Sequence, residues 1–213
     1  MREACGGRRV LQALILALIA GYADSVGYLS FDAFAGMMTG NTILLAIALF
    51  GADPLHAAQY AAIILAFVAG VIVSLLLRRL AAPLFALLAV EGVAILVAAF
   101  APPEAAPDVL AFAMGLQNAA VTQFAGVTLN TVFLTGNLQK LTQGLFERLW
   151  PASGTPPASP RSLATTALVW LGYLGGAGLG AAAHKFVARP LLLVLILLPL
   201  VALVHPGDRA VDP

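Results

Sequence analysis

Apolar residues run along this chain in eight long blocks, separated by short polar or proline-containing breaks. The blocks are Val10–Leu29, Phe34–Phe50, Ala57–Leu77, Pro83–Phe100, Val109–Gly126, Thr131–Phe146, Leu163–Phe186 and Pro190–Val204. A helix needs about 20 predominantly apolar residues to cross a bilayer, with about 17 as the lower limit. The second and sixth blocks are the weakest candidates. Both are short, and each carries a Thr-Gly-Asn near one end: Met38-Thr39-Gly40-Asn41-Thr42 and Leu134-Thr135-Gly136-Asn137-Leu138, 96 positions apart.

The pattern repeats. Ala17, Gly21, Asp24 and Ser25 align with Ala111, Gly115, Asn118 and Ala119 at a spacing of 94. Ala66, Phe67, Gly70 and Ser74 align with Gly172, Tyr173, Gly176 and Gly180 at 106, and Pro83 and Pro190 open the fourth block of each half. A period near 100 is too long for a solenoid and suits a duplicated transporter-type half. The expected organisation is one membrane domain made of a first repeat, 1–106, and a second, 107–213. The fold class expected is an all-α membrane protein. It has about six transmembrane helices in two inverted three-helix repeats, each with a short broken or re-entrant helix carrying Thr-Gly-Asn.

Composition agrees with lipid burial. Of 213 residues, 61% are hydrophobic and 10% charged, against about 45–50% and 25% in soluble domains. The net charge of +1 offers no basic field for nucleic acid. Cys5 is the sole cysteine, so neither an internal disulfide nor a cysteine cluster is available. His56, His184 and His205 are widely separated and read as interfacial polar residues. No metal site and no cofactor is expected. Arg2, Arg8 and Arg9 ahead of Val10–Ala20 resemble a signal peptide with a cleavage site at Gly21-Tyr22-Ala23. The run continues to Leu29 and recurs later, so it reads as structural.

Lys and Arg placement sets the orientation. If the second and sixth blocks dip in and return, nine basic residues fall on one side: Arg2, Arg8, Arg9, Arg78, Arg79, Lys140, Arg148, Arg161 and Arg209. Only Lys185 and Arg189 fall on the other. This favours six spans with the N-terminus cytoplasmic. The stretch Trp150–Arg161 reads as a polar linker, and His205–Pro213 as a polar tail.

Small residues recur every four positions: Ala58, Ala62, Ala66, Gly70, Ser74 in the third block, Gly172, Gly176, Gly180 in the seventh, and Ala13, Ala17, Gly21, Ser25 in the first, echoed by Ala111, Gly115 and Ala119. Such stripes let membrane helices approach closely. The third and seventh blocks are therefore expected to pack tightly, against each other or against a second subunit, and a homodimer is one arrangement this permits. The G-x-G-x-x-A match at Gly176–Ala181 lacks the strand and acidic residue of a dinucleotide site.

Two carboxylates lie within apolar blocks, Asp24 and Glu91. Ionisable groups there usually face a protein interior or cavity. Gln117 and Asn118 stand at and beside the position equivalent to Asp24. A polar break exposes backbone groups that need protein or water partners, and Thr and Asn can cap a following helix. Its N-terminus attracts anionic or electron-rich groups. The expected solute-contacting residues are Thr39, Gly40, Asn41, Gln117, Asn118, Thr135, Gly136 and Asn137. Asp24 and Glu91 are the proton-coupling candidates, and Gly70, Gly172, Gly176 and Gly180 the packing residues. For each there is a plain structural reading: a capped turn, an interfacial charge, a protonated carboxyl between helices, or an interhelical hydrogen bond.

Gly21-Tyr22-Ala23-Asp24, Met38-Thr39-Gly40-Asn41-Thr42, Gly115-Leu116-Gln117-Asn118-Ala119 and Thr135-Gly136-Asn137 with Gln143-Gly144-Leu145 together resemble the YoaK-like family of bacterial inner-membrane proteins. The resemblance covers nearly the whole chain; Asn137 departs from the Thr common at its position. It implies a multi-pass protein of about six spans in the bacterial inner membrane, with no settled activity. The functional expectation is a proton-coupled secondary transporter of a small polar or anionic solute, with its site between the two Thr-Gly-Asn stretches. The alternatives are a passive channel and a non-transporting scaffold or assembly partner. An enzyme is not expected, for the chain lacks H-E-x-x-H, a P-loop and a Ser-His-Asp set. The partners expected are membrane lipid and a small solute.

Overall fold

The computed structural model describes residues 2–120, 123–124, 127–128, 134–150 and 159–204. Most of the expected linker and the C-terminal tail lie outside these residues. Among them are eight α-helices: α1 (Arg2–Phe31), α2 (Met38–Phe50), α3 (Pro54–Arg79), α4 (Leu84–Phe100), α5 (Ala106–Ala120), α6 (Leu134–Leu149), α7 (Pro160–Phe186) and α8 (Val194–Val204). A 3-10 turn, Pro190–Leu193, leads into α8. Each apolar block thus holds one helix. The fifth ends earlier than its apolar run, at Ala120. It is followed by two-residue strands, β1 (Gln123–Phe124) and β2 (Val127–Thr128), paired antiparallel. β-Branched Val127 and Thr128 favour a pleated strand over a helix turn.

Helix ends follow local chemistry. Asp53 caps α3, its side chain accepting from the His56 N–H, and Pro54 opens the first turn. Ser159 caps α7 through the Ser162 N–H, and Pro160 opens it. Proline suits that position because its missing N–H would be unpaired anyway. α1 stops at Asp32, whose φ of 54° is left-handed and whose N–H returns to the Tyr28 carbonyl. Ala52 and Ala81 take the same conformation just beyond α2 and α3.

Among the described residues, three helices are long and apolar enough to cross a membrane: Gly7–Phe31, Pro54–Arg79 and Pro160–Phe186. Shorter apolar segments are Met38–Phe50, Leu84–Phe100 and Pro190–Val204. α1 and α5 are central. Ten of the fifteen α5 residues are buried, and α1 buries Ala13, Leu16, Ala17, Ile19, Ala20 and Ala23. Aliphatic side chains cover the outside, such as Leu65, Val68, Ile72 and Leu76 on α3 and Leu171, Leu174 and Leu179 on α7.

The principal packed pairs are α1 with α7 and α3 with α5. This corrects the pairing expected within the chain: α3 and α7 do not pack together; each uses its small-residue stripe on a different central helix. A Cβ on Gly176 would fall on the Leu18 carbonyl, and one on Gly172 would meet Leu14. Gly180 faces Tyr22 and Ser25, while Gly21 answers from α1 against the Tyr173 carbonyl. In the other pair, Gly70 lies against the Phe112 carbonyl and Gly115 against that of Phe67. Rising numbers meet rising numbers along α1 and α7, so that pair runs parallel; in the other, the C-terminal ends lie together, Arg78 of α3 reaching the Ala119 carbonyl of α5. The stripe reached these partners because α1 and α5 carry glycines of their own at the crossing points, and backbones touch only where both faces are bare.

The remaining contacts follow the same exchange. α4 packs on α5 and α8 on α1; α2 leans on α3 and α6 on α7.

Candidate functional site

Asp24 sits seven residues before the end of α1 and is almost fully buried. Its Oδ1 accepts from the backbone N–H of Gly36 at 2.6 Å and of Met37 at 3.2 Å. Its Oδ2 accepts from the Tyr173 hydroxyl of α7 at 2.5 Å. The segment between α1 and α2 therefore folds back about two helix turns along α1, since seven residues rise about 10 Å. Asp24 is the anchor that holds it there. A carboxylate with three donors is the form of buried charge a protein interior accepts.

Asn41 completes the arrangement. It is fully buried, its Oδ1 accepting from the Phe34 N–H at 2.9 Å and its Nδ2 donating to the Phe34 carbonyl at 2.7 Å. One side-chain amide thus satisfies both backbone groups of a residue outside regular structure, which would otherwise be costly to bury. Phe34 stacks on Tyr28, with ring centroids 4.8 Å apart.

These contacts correct the expected capping. Thr39, Gly40 and Asn41 do not cap α2; they form its first turn. The cap residue is Met37, which makes no side-chain cap bond. The irregular backbone lies just before the Thr-Gly-Asn, because Asp24 and Asn41 use their hydrogen bonds on residues 34–37. Thr39 is exposed. Gly40 lies against the Phe34 ring, where a Cβ would come within 2.7 Å. The second stretch is alike in that Thr135, Gly136 and Asn137 open α6. Asn137 is buried, Thr135 and Gly136 are exposed, and a Cβ on Gly136 would meet nothing within 4 Å. Among the described residues α2 and α6 share no extensive contact.

Gln117 is buried, donating from Nε2 to the Leu16 carbonyl of α1 at 3.0 Å and leaving its Oε1 without a partner. The Oδ1 of Asn118 is also buried and unpartnered. Glu91 is buried in α4 among Leu87, Leu88, Ala94 and Ile95, and its Oε1 has no partner. It is not joined to Asp24 by any contact described. At the helix ends, Arg78 of α3 donates to the Ala119 carbonyl of α5 at 2.9 Å. Arg189 donates to the Ala99 carbonyl of α4 at 2.5 Å and lies over the Phe100 ring. Cations at helix C-termini are favoured by the helix dipole.

Tyr173 is the functional candidate that the sequence reading left as a packing match. The signal was present: at spacing 94, Asp24 aligns with Asn118, and at 106, Tyr173 aligns with Phe67. Carboxylate and hydroxyl occur together, and both are absent together. No group of three or more potential metal ligands occurs among the described residues.

Residues 12–204 match the family described as Protein of unknown function (DUF1275). The chain belongs to this family. Among its relatives, the UPF0700 transmembrane protein RA0705 of Rhizobium meliloti (strain 1021) is 31% identical over 182 residues, covering 79% of this chain and 74% of that protein. The UPF0700 transmembrane protein YoaK of Bacillus subtilis (strain 168) is 27% identical over 150 residues, 64% of this chain and 67% of that protein. The YoaK-like resemblance read from the motifs is therefore correct. No solved structure gives a significant match. With relatives of this kind and three helices of spanning length, this DUF1275 chain is a transmembrane protein.

Proposed function

We propose that this DUF1275 protein is a proton-coupled secondary transporter of a small polar or anionic solute in the bacterial inner membrane. One observation carries the proposal: a single buried carboxylate ties together three parts that alternating access must move apart. Asp24 belongs to α1, Gly36 and Met37 to the segment entering α2, and Tyr173 to α7. A proton on Oδ2 turns the Tyr173 contact around. Oδ2–H becomes the donor and the phenol must seek another acceptor. Proton uptake at Asp24 thus re-sorts the hydrogen bonds that join α7 to the incoming segment.

The architecture proposed is six spans in two inverted repeats, with α2 and α6 re-entrant and the N-terminus cytoplasmic. Two contacts support it. The Tyr60 hydroxyl, near the start of α3, donates to the Asp32 carbonyl just past the end of α1 at 3.3 Å. Arg189, just before α8, reaches Ala99 at the end of α4. Were α2 to cross the bilayer, the first pair of ends would be separated by about 30 Å of hydrocarbon, and were α6 to cross it, the second pair would be. The exchange-related packing of α1–α7 and α3–α5 supports the duplication. Thr39 on α2, and Thr135 with Gly136 on α6, are the open groups offered to a solute. Asn41 is a strut, its amide fully used on Phe34.

The test is a proteoliposome assay with an entrapped pH dye, in which organic anions and small polar solutes are added one at a time. A solute-dependent pH change that is lost in Asp24→Asn supports the reading. Uncoupled uptake, or coupled uptake that persists in Asp24→Asn, refutes the role of Asp24. Sustained unitary conductance in planar bilayers would identify a channel instead.

A further inference from the structure

We propose that the C-terminal end of α3 binds an anionic phospholipid, its phosphodiester held by Arg78 and Arg79 and one acyl chain lying along Ile72, Leu75 and Leu76. These five residues line a cleft of about 470 Å³. Ile72, Leu75, Leu76 and Arg79 follow the spacing i, i+3, i+4, i+7 and so share one helix face. The three aliphatic side chains are 51%, 47% and 52% exposed. The stripe rises about 10 Å towards the two guanidinium groups, so its apolar part lies where acyl chains run and its end where headgroups lie.

The charges are uncompensated. The ion pair on α3, Asp53 with His56, lies at the other end of the helix. Arg78 uses one nitrogen on the Ala119 carbonyl, and a guanidinium has five N–H donors. Arg79 has neither a hydrogen bond nor a carboxylate partner among the described residues. Guanidinium forks match phosphate oxygens two at a time, and basic pockets beside membrane helices select anionic lipid. A zwitterionic headgroup brings its own cation and leaves the second arginine without a partner.

The molecule contains its own control. The α7 residues 106 positions later are Gly178, Ala181, Ala182 and Lys185. They repeat the terminal charge without the branched apolar wall. The other basic residue beyond that end, Arg189, is already engaged by Ala99 and Phe100. The site is therefore confined to α3, and it does not depend on the transport reading.

The experiment uses the full-length protein purified in detergent, with phosphatidylglycerol or phosphatidylcholine added. Native mass spectrometry counts the lipid retained, and thermal melting reads the stabilisation. Phosphatidylglycerol is expected to be retained and to raise the melting temperature, and phosphatidylcholine is not. Arg79→Gln should weaken phosphatidylglycerol binding at least fivefold without changing the lipid-free melt, and Leu76→Ser should weaken it with both arginines intact. Lys185→Gln should bind as wild type. Equal retention of the two lipids overturns the proposal, as does wild-type binding by Arg79→Gln. A full stabilisation by inorganic phosphate alone would also overturn it, since the apolar wall would then have no role.

Discussion

Gly176→Ala is expected to loosen the α1–α7 pair and lower stability by about 3 kcal/mol. An added Cβ would stand 2.9 Å from the Leu18 Cα and 2.8 Å from its carbonyl carbon, with the carbonyl oxygen closer still. Ordinary contact begins near 3.4 Å, so the Cα alone demands a separation of about 0.5 Å. All three atoms are backbone and cannot swing aside. Overpacking costs about 1–3 kcal/mol when side chains can yield, and a rigid partner belongs at the upper end. Gly178→Ala is the matched comparison. It lies two residues away on the same helix, with nothing within 4 Å of its Cβ, and it gains the same helix propensity of about 1 kcal/mol. The two variants should therefore differ by roughly 3–4 kcal/mol in thermal or denaturant unfolding in detergent. At about 2–4 °C per kcal/mol for a chain of this size, Gly176→Ala should melt about 6–16 °C below Gly178→Ala. Melting points that coincide would refute the claim that backbone contact holds this pair.

Tyr173→Phe removes one donor from a buried carboxylate and should cost about 1.5–3 kcal/mol in unfolding measurements; if Asp24→Asn and Tyr173→Phe add without coupling in a double-mutant cycle, the contact is not energetically real. Asn41→Leu strands the N–H and the carbonyl of Phe34 and should cost about 2–4 kcal/mol, seen as faster amide exchange at residues 34–37; unchanged exchange there would refute the strut. The Asp53 carboxyl is held below the usual carboxylate range, chiefly by the His56 backbone N–H and then by the His56 ring. Its depressed pKa means that its stabilising effect is present above the ordinary carboxylate range and is lost as pH falls through the lowered value. Asp53→Ala should therefore melt below wild type at neutral pH and converge with it in acid, and a gap independent of pH would refute the assignment. Reporter fusions at 53–56 and 150–161 should report opposite sides of the membrane; the same side for both would sink the inverted architecture.

The helices were legible because each apolar block is long and cleanly bounded, and because proline and a capping residue open α3 and α7. Gly70, Gly172, Gly176 and Gly180 were legible as contact points, since bare backbone has one common use between lipid-facing helices. Their partners were not. A stripe says that something approaches closely and does not say what: Gly21 and Gly115 stood in stripes of their own, and nothing in the sequence joined those stripes to Gly176 and Gly70. The polar turn was misplaced by a few residues for a related reason. Thr-Gly-Asn looks like an interruption in one dimension, but Asn41 reaches seven residues back and Asp24 twelve forward, and those side chains set where the helix resumes. Tyr173 escaped notice because a tyrosine in an apolar run needs no explanation until a carboxylate is found beside it.

The pairing of α1 with α7 bears on how the chain is made. α1 leaves the ribosome well over a hundred residues before its main neighbour, α7, which starts at Pro160. Until α7 is synthesised, the bare Gly21 side of α1 and the Oδ2 of Asp24 stay open in the bilayer. Such an intermediate needs lipid, water or an insertion chaperone to shelter it. A gene cut between α4 and α5 should accordingly yield two unstable fragments that recover only when co-expressed, since each supplies the surface against which the other closes.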